Sequence, residues 1–375
     1  MNLFNTDKIA KAFSKIHKAI YHLNSTKNNI ICLKPFYFME FAGYGEVFSC
    51  CPAWIKGGIG NIKDNTIEEI WNSPKNQFIR EKMLKGEWID ICKPICPIIN
   101  EYLVTGESIN LDSISEYHYI TPELESEIKA GKTILESMPT FFNFSNSGIC
   151  NLDCIMCCWR TMKEDDISVQ KAYSNVLPLL RNAREVILSG GGDPFVRPDI
   201  RKMLLEFDRV RYPQLKINLL TNGLLLPKFW DRIKHLNFGY INVSIDAATK
   251  ETYEKIRSRG KWEKLLFSLS VIKDNKEKFD FVTINMTVMK ENYKEIPLFV
   301  ELGQDFGFNV SFQRVRTEGN LSPSSNFFES GDQETLADFV EIINSINLNK
   351  LSVNVDWTNL ISYISAEGYD IKIKR

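Results

Sequence analysis

Thr140-Phe-Phe-Asn-Phe-Ser-Asn-Ser-Gly-Ile-Cys-Asn-Leu-Asp-Cys-Ile-Met-Cys157 sets a short aromatic run directly before three cysteines spaced C-x3-C-x2-C. The run Thr140–Ser145 reads as a strand, so Cys150, Cys154 and Cys157 fall in the loop that follows its end. Thiolates are soft ligands that suit iron–sulfur clusters and zinc. Three of them can hold three irons of a [4Fe–4S] cube and leave the fourth iron open to a substrate or cofactor. A structural four-iron site would supply four cysteines.

Working outward, the chain after 139 alternates strands and helices. Further strands are expected at 186–189, 215–220, 240–245, 281–289 and 309–313, with a seventh at 351–355. Amphipathic helical segments at 199–208, 249–258, 261–275 and 293–306 separate them. That alternation argues for a parallel sheet with right-handed crossovers, as a partial barrel or a doubly wound sheet. In such folds the reactive face lies at the C-terminal ends of the strands. Gly190-Gly-Gly-Asp-Pro194 follows the second strand, Thr221-Asn-Gly223 the third, and Ser244-Ile-Asp246 closes the fourth. Each is weak alone. At successive strand ends beside the cysteines they describe one pocket.

Upstream of 139 the pattern differs. Residues 6–23 read as a helix carrying His17 and His22, which fit a partly exposed surface better than a metal site. Pro35 to Cys51 is dense in aromatics, and Gly43-Tyr-Gly45 in its middle predicts a hairpin. A hairpin brings Cys32 towards Cys50 and Cys51. Thr66-Ile-Glu-Glu69 fits a capping box that opens a helix with Ile67, Ile70 and Trp71. Cys92-Lys-Pro-Ile-Cys96 adds two thiols. Four of these five cysteines suffice for a closed site, and a zinc ribbon needs the same number, so spacing leaves zinc and iron–sulfur both open. Residues 98–138 read as a connector in which Thr121-Pro122 starts a helix and His118 has a surface or packing place.

The totals bound the partners. A length of 375 residues allows two or three domains. A net charge of −1 gives no basic footprint, so nucleic acid is not an expected partner. No stretch reaches ~18 uninterrupted apolar residues, so no membrane span is expected. The first residues lack the basic-then-apolar order of a signal peptide, which places the expected setting in the cytoplasm. Nine cysteines without a secretion signal, gathered at 32, 50/51, 92/96 and 150–158, point to metal rather than disulfides.

The three-cysteine spacing, the Gly-Gly-Asp-Pro turn, and Ser244-Ile-Asp-Ala-Ala-Thr-Lys-Glu-Thr-Tyr-Glu-Lys-Ile-Arg257 together resemble the radical S-adenosylmethionine (radical SAM) enzymes, over roughly residues 139–315. The resemblance implies an α/β fold: a partial (β/α)6 TIM-type barrel preceded by a small cysteine-rich α+β module. It implies S-adenosylmethionine bound to the open iron of a cluster on Cys150, Cys154 and Cys157, and its reductive cleavage to a 5′-deoxyadenosyl radical that abstracts hydrogen from a substrate. Gly190, Gly191 and Gly192 would let backbone carbonyls approach the methionine ammonium. Asp193, where the family more often has glutamate, would join them in binding the cofactor. Ser244 and Arg257 would meet the methionine carboxylate, for which a guanidinium is suited. Met156 resembles the apolar position packed on adenine. Asn285 and Gln313 are candidates for ribose or substrate contact.

Cys32-x12-Gly45-x4-Cys50, then Gly60-Asn-Ile, Glu69-Ile-Trp71, Cys92 and Cys96, resemble the auxiliary-cluster module of the same superfamily, called SPASM or twitch. That implies a second [4Fe–4S] cluster on Cys32, Cys50, Cys92 and Cys96. The module usually follows the barrel and here precedes it. Cys51 and Cys158 remain, as hydrogen-atom donors near the radical or as buried thiols beside ligands. The implied organisation is a helix at 1–24, the module at 25–100, a connector at 101–138, the core at 139–320 and an extension at 321–375. The implied activity is an oxidation or crosslinking of a small polyol, sugar or peptide, with a flavodoxin- or ferredoxin-like electron donor. The competing class is a non-catalytic zinc or iron–sulfur protein that binds a partner.

Overall fold

The computed structural model describes residues 30–93, 96, 98–99, 108–161, 165–189, 191–315, 323–347, 350–357 and 360. The helix expected at 6–23, Gly190 and the last part of the C-terminal extension, 361–375, lie outside the described residues.

In chain order the strands are β1 Phe38–Phe41, β2 Glu46–Phe48, β3 Gly60–Asn61, β4 Phe141–Phe144, β5 Asp153–Cys154 and β6 Glu185–Leu188. They continue as β7 Lys216–Thr221, β8 Phe238–Ser244, β9 Arg257–Ser258, β10 Phe281–Val288, β11 Asn309–Arg314 and β12 Val355–Asp356. Ten of them form one mixed sheet in the order β12-β11-β10-β8-β7-β6-β4-β1-β2-β3, and β5 pairs with β9 in a separate ribbon. From β12 to β1 every neighbour is parallel, and only the β1-β2-β3 edge is antiparallel. Among the described residues no helix is long and apolar enough to cross a membrane.

The helices between strands follow the expected pattern: Pro198–Glu206, Lys250–Ile256, Trp262–Lys273 and Ile296–Phe306. Strand alternation then gives the sheet two unlike faces. Phe142, Phe144, Val186, Leu188, Leu219, Val243, Ile284 and Phe312 are fully buried. The positions between them carry Glu40, Asn143, Asn218, Asn242 and Asn285.

The upstream cysteine-rich stretch precedes the core in sequence, and its hairpin extends the core sheet. Strand β1 runs parallel to β4 in the register Phe38↔Phe141 to Phe41↔Phe144. Cross-strand aromatic pairs hold the joint, with Phe38 edge-on to Phe141 at 5.2 Å and Phe41 stacked on Phe144 at 5.5 Å. A strand buried on both faces reads as a continuous apolar run, and all four β1 residues are buried, Glu40 included. The connector seals this joint: Tyr119 stacks between Tyr37 at 4.7 Å and Phe141 at 5.0 Å. His118, expected to be a packing or surface residue, lies 2.7 Å from the Glu185 carboxylate.

The capping box at Thr66 forms as expected, with Glu69 N–H donating to Thr66 Oγ1 at 3.2 Å and Thr66 N–H donating to Glu69 Oε2 at 2.9 Å. The following helix, Pro74–Leu84, buries Arg80 completely. Its guanidinium stacks over Trp71 at 4.2 Å and donates to Pro35 O at 3.0 Å and Thr133 O at 2.8 Å. Burial pulls the pKa of Arg80 below its ordinary value, partly offset by Glu127. One side chain thus ties hairpin, helix and connector together.

Candidate functional site

The exit of β4 is clamped before the cysteines begin. Ser145 Oγ donates to Glu40 Oε1 at 2.6 Å. The fully buried Arg197 donates to Phe144 O at 3.1 Å and Asn146 Oδ1 at 2.7 Å, with Asp199 balancing its charge at 2.7 Å. The loop then returns through the β5–β9 ribbon, where Cys154 faces Arg257 and Ile155 N–H donates to Ile256 O at 3.0 Å. Leu152 N–H points at Cys150 Sγ at 3.4 Å.

The glycine turn after β6 lies against this loop. Ser189 takes a left-handed φ of 78°, and its Oγ donates to Gly191 O at 2.5 Å. A Cβ on Gly192, at φ 65°, would stand 2.2 Å from Ile149 O. One on Gly191 would stand 2.7 Å from Ser147 O and 2.8 Å from the Trp159 ring. Beyond the carbonyl approach expected of them, Gly191 and Gly192 permit a close chain-on-chain contact, because any side chain would push the cysteine loop away. Gly192→Ala is therefore expected to cost more than about 1 kcal/mol. It should also lower the iron held by the three-cysteine site, read as iron per chain after anaerobic reconstitution.

The Asp193 carboxylate is fully buried and accepts from Phe195 N–H at 3.0 Å, Thr221 Oγ1 at 2.7 Å and Asn222 N–H at 3.0 Å. Its own N–H donates to Ile149 O at 2.9 Å. Burial raises its pKa, and these hydrogen bonds oppose the rise. Asp193 thus joins the cysteine loop, the glycine turn and the Thr221-Asn-Gly223 turn. Asn222, quoted in that turn but not singled out, sends Nδ2 to Asn151 Oδ1 at 2.9 Å and to Cys150 Sγ at 3.7 Å.

Arg257, expected on the methionine carboxylate, is buried and paired with Asp246: Nε and Nη2 donate to Asp246 Oδ2 at 2.8 and 2.5 Å. Burial works to lower the pKa of Arg257, but the Asp246 carboxylate outweighs it and holds the guanidinium above its ordinary value. Asp246 adopts a left-handed φ of 64° and accepts from Thr287 N–H at 2.7 Å. Ser244 is half-buried at the end of β8, opposite Asn285. Asn285 Oδ1 accepts from Ser311 at 2.9 Å, and Gln313 is exposed. Met156 and Ile155 pack on a small apolar cluster of Ile256, Met289 and Val315.

None of the nine cysteines is joined in a disulfide among the described residues. Burial pushes Cys150 up and Cys154 up to about 12; the Arg257 charge opposes both, and the two thiols and Cys157 lie near enough to feel one another's charge. The upstream thiols form a second group. Burial raises Cys32, Cys50 and Cys92, the last to about 12, and each is raised further by Cys96. Backbone contacts draw the segments together: Trp54 N–H donates to Cys51 O at 2.9 Å, Lys93 N–H to Trp54 O at 2.7 Å, and Ile55 bridges Cys92. Cys51 is half-buried beside Cys50, and Cys158 is exposed. Among the described residues no three His, Cys, Asp or Glu side chains are set to close on a single metal ion. A four-iron cube makes a different demand, since each thiolate binds its own iron. Buried thiols whose ionised forms repel one another fit an iron-bearing core that offsets their charge. Sequence reasoning missed Asn222, Arg197, Trp159 and the pairing role of Asp246. Only Asn222 and Asp246 carried a signal, as parts of strand-end turns.

Residues 146–303 match the model of the radical SAM superfamily, and residues 32–97 that of the SPASM iron–sulfur cluster-binding domain. Molybdenum cofactor biosynthesis protein 1 of Dictyostelium discoideum is 28% identical over 206 residues, 52% of this chain and 31% of that protein. AdoMet-dependent heme synthase of Methanosarcina barkeri is 29% identical over 205 residues, 52% of this chain and 54% of that protein. The solved structure of SuiB from Streptococcus suis bound to S-adenosylmethionine is similar at 13% identity and a TM-score of 0.44, covering 76% of this chain and 62% of that one. The chain thus spans less than two thirds of these curated relatives' own length. With the three-cysteine loop, its glycine turn and the upstream thiols in these places, residues 146–303 are a radical SAM superfamily enzyme domain, adjoined by a SPASM-type iron–sulfur domain at residues 32–97.

Proposed function

We propose that this enzyme binds S-adenosylmethionine at a [4Fe–4S] cluster on Cys150, Cys154 and Cys157, and abstracts hydrogen from a small polyol, a sugar or a peptide. The core would be a partial (β/α)6 barrel. The net reaction would be an oxidation or crosslinking, assisted by a second [4Fe–4S] cluster on Cys32, Cys50, Cys92 and Cys96. A cluster held there would supply the electron for reductive cleavage of S-adenosylmethionine to methionine and a 5′-deoxyadenosyl radical. The chain's own residues have simpler tasks. Cys150, Cys154 and Cys157 would hold three irons. The glycine turn and Asp193 fix the loop that carries them. Met156, with Ile155 and Met289, offers an apolar wall suited to a purine. Asp246 keeps Arg257 charged and in place behind Cys154.

The observation that carries this reading is the convergence of three strand ends at the cysteine loop through one buried residue, Asp193, by its backbone N–H and its carboxylate. The relative named as AdoMet-dependent supports the cofactor. The test is anaerobic reconstitution followed by dithionite and S-adenosylmethionine. About eight irons per chain, as two cubes require, and 5′-deoxyadenosine in the mixture are the expected results. Zinc at both sites with no 5′-deoxyadenosine would sink the proposal.

A further inference from the structure

The thiols of the three-cysteine centre do not have the same surroundings. Cys154 faces the Arg257 charge across the β5–β9 ribbon. Cys150 instead has hydrogen-bond donors directed at its sulfur: Leu152 N–H at 3.4 Å and the side-chain amide of Asn222 at 3.7 Å. An N–H aimed at a ligating sulfur stabilises its negative charge. Cluster potentials respond to such bonds, and partners behind a ligand also fix its orientation.

Which end of the Asn222 amide faces the sulfur follows from its other contacts. Asn222 is buried. Its Oδ1 accepts from Leu224 N–H at 3.1 Å, and its Nδ2 donates to Asn151 Oδ1 at 2.9 Å. Turning the amide over would set two oxygens against each other at Asn151 and leave Leu224 N–H facing an NH2 group. The hydrogen-bond network thus assigns the amide, and the second Nδ2 hydrogen is left for Cys150. The backbone of Asn222 is held in turn by Asp193 Oδ2 at 3.0 Å. This donor is fixed in advance from the end of β7, across a gap from the loop it serves.

We infer that Asn222 is a positioning residue of the three-cysteine centre, whose amide hydrogen bond to Cys150 raises the reduction potential of the cluster held there. The inference rests on the proposed cluster at Cys150, Cys154 and Cys157. Removing the donor favours the oxidised cluster, because the reduced form carries the extra negative charge.

The experiment uses the full chain, reconstituted anaerobically, as wild type and as Asn222→Leu and Asn222→Asp. Redox titration is followed by electron paramagnetic resonance, and the signal recorded is the one that changes when S-adenosylmethionine is added. That response singles out the cluster with an open iron. Asn222→Leu is expected to keep its iron and to shift the reduced-to-oxidised ratio at fixed potential about tenfold towards oxidised, which is 59 mV for one electron. Asn222→Asp should shift it further the same way. Iron retained with an unchanged potential overturns the inference and leaves the proposed function standing. No S-adenosylmethionine-responsive signal in the wild type overturns both. A second measurement covers loss of loading in the variants. Wild type carrying 15N-labelled asparagine should show a 15N coupling to that signal in pulsed spectra, and absence of the coupling overturns the inference.

Discussion

Cys154→Ala is expected to lower 5′-deoxyadenosine formation from dithionite and S-adenosylmethionine to the level of a protein-free control. Cys154 is the middle thiol of the three and sits in β5, where its backbone pairs with Arg257. Alanine leaves that backbone pairing intact, as well as the bond from Ile155 N–H to Ile256 O. The variant should therefore fold, and the deficit should be chemical. Two remaining thiolates hold a cube poorly, while the upstream thiols keep theirs. Iron should fall from about eight to about four atoms per chain. The measurement is chromatographic quantitation of 5′-deoxyadenosine alongside iron content. Wild-type amounts of product from a variant that has lost half its iron would move the chemistry away from this loop.

Asp246→Ala is expected to produce the largest loss of stability. It removes the partner of a buried guanidinium, the kind of change that costs about 3–5 kcal/mol. It also leaves Thr287 N–H without its acceptor and places alanine at a left-handed φ that aspartate tolerates better. Because Arg257 is paired in register with Cys154, the disturbance reaches the cysteine loop, and the three-cysteine site should load less iron. Asp246→Asn keeps the backbone preference and one acceptor oxygen, but it removes the charge and sets its NH2 against either Arg257 or Thr287 N–H, so it should lie between wild type and Asp246→Ala. Urea unfolding of the three chains checks the order. Equal midpoints would mean that the pair contributes nothing.

The parts of this molecule that were legible in the sequence are those written locally. The strands at 281–289 and 309–313 appear as Phe281–Val288 and Asn309–Arg314, since β-branched runs between turn residues carry their own signal. The caps at Thr66 and Thr121 appear for the same reason. The partner that a buried charge takes is not local. Arg257 looked free to meet a carboxylate ligand, and only the fold shows Asp246 already beside it, eleven positions earlier in the chain. Asp193 looked like a cofactor contact and is surrounded by protein donors. The aromatic density of the first hairpin did announce burial on both faces, but a run of phenylalanines does not name the strand it will pair with.

That pairing has a consequence for the order of synthesis. Strand β1 hydrogen-bonds to β4, which follows it by about a hundred positions. At ribosomal rates of about 5–20 residues per second, β1 waits about 5–20 s for its neighbour. During that interval its open edge and its exposed phenylalanines are available to other chains. The upstream thiols, whose segments lean on this hairpin, share the delay. On the proposed function, iron loading at Cys32, Cys50, Cys92 and Cys96 would then wait for completion of the first core strand. The cysteine-rich stretch expressed alone would keep that aromatic edge uncovered permanently.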